Sequence, residues 1–135
     1  LHVRMQRHCE NGEKVAHFLR NHPKVEKVYW IGFEDHPNHD IACKQMRGFG
    51  GMISFVLKGD QLEDAMRVLS GTKLFALAES LGGVESLIGH PASMTHGAIP
   101  REERIKNGLA DSLIRLSVGI EDANDLIEDL RLAIG

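Results

Sequence analysis

Apolar residues recur at helical spacing through the first twenty positions. Met5, Cys9, Gly12, Ala16 and Leu19 line one face, and Val15 and Phe18 widen it. The pattern predicts a helix that stops at Asn21-His22-Pro23, because Pro23 has no amide hydrogen and disfavours helical geometry in the residue before it. Val25 to Ile31 then predicts a strand, weighted by β-branched and aromatic side chains and closed by Gly32. Asp35-His36-Pro37-Asn38-His39-Asp40 predicts a turn into a short helix ending near Met46. Past Gly48-Phe49-Gly50-Gly51, the run Met52 to Leu57 predicts a second strand bounded by Gly59. Asp60-Gln61-Leu62-Glu63 has the form of a capping box, in which Asp60 accepts from the third helical amide and Glu63 reaches back. Leu62, Ala65, Met66 and Leu69 would be the buried face of the helix that follows, and Gly71 its end.

Leu74 to Leu77 and Val84 to Ile88 are short extended runs on either side of Gly82-Gly83. Pro100 opens a polar helix that Gly108 closes. Leu113 to Val118 alternates: Ile114, Leu116 and Val118 face one way, Leu113, Arg115 and Ser117 the other. The last helix opens on the acids Glu121, Asp122 and Asp125, which suit its positive end, and buries Leu126, Ile127, Leu130, Ala133 and Ile134. Strands and helices interleaved by short loops predict an α/β chain of the two-layer α+β kind. The alternating strand favours a small, mostly antiparallel sheet with helices on one side, its other face looking at something else.

With 135 residues, this is one domain long enough to bury a core. The 42% hydrophobic and 26% charged content excludes the disordered and low-complexity classes. A net charge of −3 argues against a nucleic-acid partner, and no apolar run is long enough to cross a membrane as a helix. Cys9 and Cys43 form no CxxC motif and predict two buried, reduced thiols of a cytoplasmic protein. The chain opens at Leu1 inside a helical pattern, without an initiator Met or signal peptide, as a piece of a longer protein would.

Candidate chemistry is sparse. His36 and His39 beside Asp40 have a metal-like spacing, but Pro37 lies between them and a helix-capping turn accounts for them better. His90 and His96 flank Pro91-Ala92-Ser93-Met94-Thr95, which reads as a loop with local hydrogen bonds. Gly48-Phe49-Gly50-Gly51 precedes a strand and lacks the lysine of a phosphate loop. Arg115 stands apart. A guanidinium in the middle of an apolar strand is costly unless an anion pairs with it, and its forked donors match a carboxylate. An exposed arginine or an internal salt bridge would answer the same observation. The loop Ala78-Glu79-Ser80-Leu81-Gly82-Gly83 fits an anion site, since its glycines allow close backbone approach and Ser80 can donate a hydroxyl.

Three segments carry a resemblance: Leu77-Ala78-Glu79-Ser80-Leu81-Gly82-Gly83-Val84-Glu85-Ser86-Leu87-Ile88, then His90-Pro91-Ala92-Ser93-Met94-Thr95-His96, then Leu113-Ile114-Arg115-Leu116-Ser117-Val118-Gly119-Ile120-Glu121-Asp122. Together with Leu1-His2-Val3-Arg4-Met5, His22 to Val28 and Met46 to Met52, they cover essentially the whole chain. The sequence resembles the C-terminal portion of the Cys/Met-metabolism pyridoxal-phosphate enzymes, among them cystathionine γ-synthase, cystathionine γ-lyase, cystathionine β-lyase and methionine γ-lyase.

The resemblance implies the C-terminal domain of a fold-type I transferase, residues 1–135, that packs against a large cofactor domain absent from this chain. It implies that Arg115 clamps the substrate α-carboxylate, that Ser80 helps hold it, and that Thr95 lines the same pocket. An acidic Glu79 looks more like the cystathionine γ-lyase or γ-synthase members than methionine γ-lyase. The implied activity is trans-sulfuration, γ-elimination or γ-replacement on a sulfur amino acid, by a homotetrameric parent using pyridoxal phosphate. Lyase and synthase stay open, as do methionine γ-lyase and cystathionine β-lyase. Lys14, Lys24, Lys27, Lys44, Lys58, Lys73 and Lys106 do not match the family's cofactor lysine, so the chain alone is expected to be catalytically silent. A stand-alone amino-acid-binding module is the alternative. Trp30-Ile31-Gly32 departs from the family's Tyr-Pro-Gly, an expected change in a turn only.

Overall fold

The computed structural model describes residues 1–94, 98–107 and 110–135. In chain order the elements are α1 (His2–Arg20), β1 (Val25–Tyr29), α2 (His39–Gln45), β2 (Met52–Leu57), α3 (Leu62–Gly71), β3 (Ala76–Leu77), β4 (Leu87–Gly89), α4 (Arg101–Lys106), β5 (Ile114–Ser117) and α5 (Ala123–Ile134). Among the described residues the strands form one sheet in the order β1-β2-β5-β4-β3. All neighbours run antiparallel except β3 and β4, which pair in parallel through Ala76–Leu87 and Leu77–Ile88.

The register decides which side chains meet. Ile53 lies opposite Leu116, Phe55 opposite Ile114, and Ile88 opposite Leu116, so one face of the sheet is apolar. Val15, Ala16 and Leu19 of α1, Val68 and Leu69 of α3, and Leu126, Leu130 and Ile134 of α5 close over that face into a single core. Helices therefore cover one side, as the alternation predicts. The opposite face carries Tyr29, Ser54, Arg115 and Ser117.

Several local expectations are corrected. Asp60 does not cap α3. It sits at φ 47°, Gln61 takes the N-cap position, and the Asp60 carboxylate receives the Ser112 amide at 2.8 Å and hydroxyl at 2.7 Å. Leu62 and Met66 are exposed, and the buried face of α3 is Ala65, Val68 and Leu69. Met5 is exposed too, while the polar His8 and Asn11 are buried in α1. His8 Nδ1 donates to the Val118 carbonyl at 2.7 Å, and Asn11 Nδ2 donates to the carbonyls of Gly119 and Glu121 at 3.0 and 2.7 Å. Cys43 is exposed and Cys9 half-buried, so neither is the buried thiol expected, and both are free. Trp30 affects more than a turn. It is buried against Phe33 and Phe49, and its indole donates to the Gly50 carbonyl at 3.2 Å. The glycine run at 48–51 serves packing, because a Cβ on Gly12 of α1 would collide with the Gly50 carbonyl. The closure of α4 at Gly108 lies outside the described residues. Among the described residues no helix is long and apolar enough to cross a membrane.

Candidate functional site

Arg115 lies on β5 between Ser54 of β2 and Gly89 of β4, its register partners on either side. Both neighbours are small, so no bulky side chain flanks Arg115 in register. Gly89 cannot be enlarged freely, since a Cβ there would lie 3.1 Å from the Ala78 carbonyl and 3.9 Å from Met94 Sδ. The result is a shallow cleft lined by Ala78, Glu79, Gly89, His90, Pro91, Met94 and Arg115. Arg115 as a residue is half-buried, and among the described residues no carboxylate lies within ion-pairing distance of its guanidinium. Among the described residues its side-chain hydrogen bond is weak: Nη2 donates to the Glu79 carbonyl at 3.5 Å. A cation of this kind keeps most of its capacity for an incoming anion.

The wall opposite the loop is set by His90. Its Nε2 lies 2.6 Å from the Asp111 carbonyl, which can only accept, so Nε2 carries the proton. Nδ1 then accepts from the Ser93 amide at 3.2 Å and hydroxyl at 2.7 Å. The ring thus ties segment 90–93 to the chain just before β5, and Met94 is brought in by its sulfur accepting the His90 amide at 3.2 Å. Arg101 grips the Asp111 carboxylate with two nitrogens at 3.0 and 2.7 Å, and that bond holds the Arg101 guanidinium above its ordinary basicity. The expectation of local hydrogen bonds around His90 holds; His96 lies outside the described residues.

Of the residues singled out in the sequence, the structure brings Arg115 and Glu79 into one cleft. Ser80, exposed and without a hydrogen bond among the described residues, adjoins the cleft rather than lining it. Thr95 lies outside the described residues. Gly89 and Met94 as walls, and Ser117 beside Arg115, were not singled out. Ser117 was legible from the two-residue alternation of its strand. The turn histidines do not cap α2, whose N-cap Asn38 makes no side-chain cap bond: His36 Nδ1 accepts the Asn38 amide at 3.0 Å within the turn, and His39 Nδ1 donates to the Ile31 carbonyl at 2.8 Å.

A layered α+β domain with an arginine at a cleft, and no carboxylate paired with it among the described residues, defines a class of domain whose chemistry could receive a small anion. The comparisons then fix the family. The family model for Cys/Met metabolism PLP-dependent enzymes matches residues 1–135, and the chain belongs to that family, whose cofactor is pyridoxal phosphate. The chain is 58% identical over 134 residues to a cystathionine beta-lyase of Coxiella burnetii and 54% identical to a cystathionine gamma-lyase of Dictyostelium discoideum, covering 99% of this chain and 34% of each relative. It superposes with a TM-score of 0.91 and 48% identity on cystathionine gamma-lyase from Lactobacillus plantarum complexed with L-serine, covering 97% of this chain and 34% of that one. The TM-score is 0.90 for cystathionine gamma synthase from Xanthomonas oryzae pv. oryzae in complex with cystathionine, at 48% identity and with 98% and 34% covered. The chain therefore spans about a third of the length of these relatives.

The donor set of the cleft does not fit the cofactor itself. Among the described residues its lining offers one guanidinium and no primary amine, a set that suits a carboxylate rather than an aldehyde.

Proposed function

We propose that this chain is the substrate-carboxylate-binding domain of a pyridoxal-phosphate enzyme of trans-sulfuration, a cystathionine γ-lyase or γ-synthase in type. The observation that carries this is Arg115: half-buried on a central strand, without a carboxylate partner among the described residues, and facing a cleft. The forked donors of Arg115 take the α-carboxylate of a sulfur amino acid. Ser80, which adjoins the cleft, and Thr95 are the further residues that the family resemblance assigns to that carboxylate, and Glu79, on the cleft lining, is the residue it assigns to discriminating the rest of the substrate. The similarity to cystathionine lyases and synthases supports this substrate class.

In that role the domain binds and orients. Pyridoxal phosphate, when bound to the whole enzyme, supplies the electron sink. Arg115 fixes the amino acid so that its Cα–H points where a base can reach it, which is binding energy applied to geometry. The chain by itself is then silent in catalysis, and its partners are a large cofactor domain and further copies in a tetramer. Two free thiols, one of them exposed, suit the reducing cytoplasm.

The test is steady-state kinetics of the full-length protein with L-cystathionine. Arg115→Ala is expected to raise KM by about tenfold or more, through loss of a charge-assisted bidentate contact. An unchanged KM overturns the assignment.

A further inference from the structure

Ser117 stands two residues beyond Arg115 on β5 and faces the same side of the sheet. It is 3% exposed, and its hydroxyl oxygen accepts the Gly82 amide at 2.8 Å. The loop that crosses this face is fastened at its two ends. At one end the Ala78 amide donates to the Ile88 carbonyl at 3.1 Å, and at the other the Ile120 amide donates to the Val84 carbonyl at 2.9 Å. Between those ends, among the described residues, the bond from Gly82 to Ser117 and the 3.5 Å contact of Arg115 with the Glu79 carbonyl are the cross-links to the sheet. Gly82 has φ 80°, and a Cβ on it would meet nothing within 4 Å. Glycine is needed there for a backbone turn that presents the amide to Ser117, not for lack of space.

We propose that Ser117 is a positioning residue for the amino-acid carboxylate. By holding Gly82 it sets how far Glu79 and Ser80 stand from the Arg115 guanidinium. The inference rests on the carboxylate reading of Arg115 given above. Ser117 touches no substrate and acts through the loop. A neutral hydroxyl is suited to this place, since an acid at the same position would sit on Arg115's own face and compete for its charge. Without the tether the loop samples more conformations, and the substrate must order it on binding. The cost falls on binding and not on the chemical step. It also falls equally on any amino acid, because the carboxylate is common to all.

The experiment uses the full-length holoenzyme and two substrates with different side chains, L-cystathionine and L-homocysteine. Ser117→Ala is expected to raise KM about fivefold for both, with kcat within about twofold. Ser117→Thr, which keeps the hydroxyl, is expected to restore KM, and in an Arg115→Ala background Ser117→Ala is expected to add nothing. If Ser117→Ala does not fold, Ser117→Cys, similar in size with a weaker acceptor, is read by the same comparison. A folded variant with unchanged KM, or one in which kcat falls and KM does not move, overturns the positioning role while a raised KM for Arg115→Ala leaves the carboxylate reading standing. An unchanged KM for Arg115→Ala overturns both.

Discussion

Glu121 and Ser86 are joined twice: the carboxylate accepts the Ser86 amide at 2.9 Å through one oxygen and the Ser86 hydroxyl at 2.8 Å through the other. The same hydroxyl oxygen accepts the Gly119 amide at 2.8 Å, so the turn after β5 is stitched to the segment before β4. Glu121 is thus committed to a tertiary contact and leaves the capping of α5 to Asp122, which accepts the amides of Asn124 and Asp125. Glu121→Ala strands both donors of Ser86 and is expected to destabilise the protein by about 2 kcal/mol, read as a lower urea midpoint. Glu121→Gln, which keeps one acceptor, should lose less.

Asp129 makes a denser contact. Its carboxylate accepts three successive amides, those of Lys73 at 2.8 Å, Leu74 at 2.9 Å and Phe75 at 3.1 Å, and so pins the link between α3 and β3 to α5. Asp129→Ala leaves the buried Phe75 amide and two part-buried amides without their partner, and a loss of about 2 kcal/mol is expected in denaturant unfolding. A change within experimental error would show that solvent replaces the carboxylate there.

Gly12 allows α1 to rest on the backbone of the 48–51 run. Gly12→Ala forces a methyl group into the Gly50 carbonyl, and the helix must shift. The expected cost is about 2 kcal/mol in thermal unfolding despite the better helix propensity of alanine. A stabilised variant would contradict that packing.

His22 gives a pH signature. Partial burial, and secondarily the charge of Lys24, hold its imidazole below the ordinary value of 6.5. The neutral ring is used, since Nδ1 accepts the Lys24 amide at 3.0 Å. With the folded value depressed, the unfolded chain takes up the proton first as pH falls. Stability from this group is present above the unfolded value and is lost on acidification. His22→Gln should therefore show a smaller drop in urea midpoint between about pH 7.5 and about pH 5 than the parent protein does. An identical drop would remove His22 from the account.

Much of this architecture was readable before any coordinates, because period and punctuation are local signals. The stripe of α1, the alternation of β5 and the apolar run of β2 each lie within one turn or one pleat of their own information. Arg115 was readable for the same reason, as a charge in an apolar strand. What escaped depends on partners far along the chain. Asp60 looked like a cap because only its neighbours were in view, yet its carboxylate belongs to Ser112, on the strand's approach. His8 and Asn11 interrupt the apolar stripe of α1 with no local reason, and the reason is a set of carbonyls at Val118, Gly119 and Glu121. Trp30 looked like a turn residue and became core because Phe33 and Phe49 converge on it. The cleft is half legible: the cation announces itself, while its small neighbours Ser54 and Gly89 are known only from strand register.

In β5, consecutive residues serve opposite masters: Ile114 and Leu116 belong to the oil beneath the sheet, Arg115 and Ser117 to the face above it. A slip of one residue against β2 would exchange them wholesale, sending the guanidinium inward and a leucine out. Whatever keeps the hydrophobic core in register therefore also keeps the arginine on its face of the sheet. Core and cleft face are alternate letters of the same four-residue word, and neither can be respelled without rewriting the other.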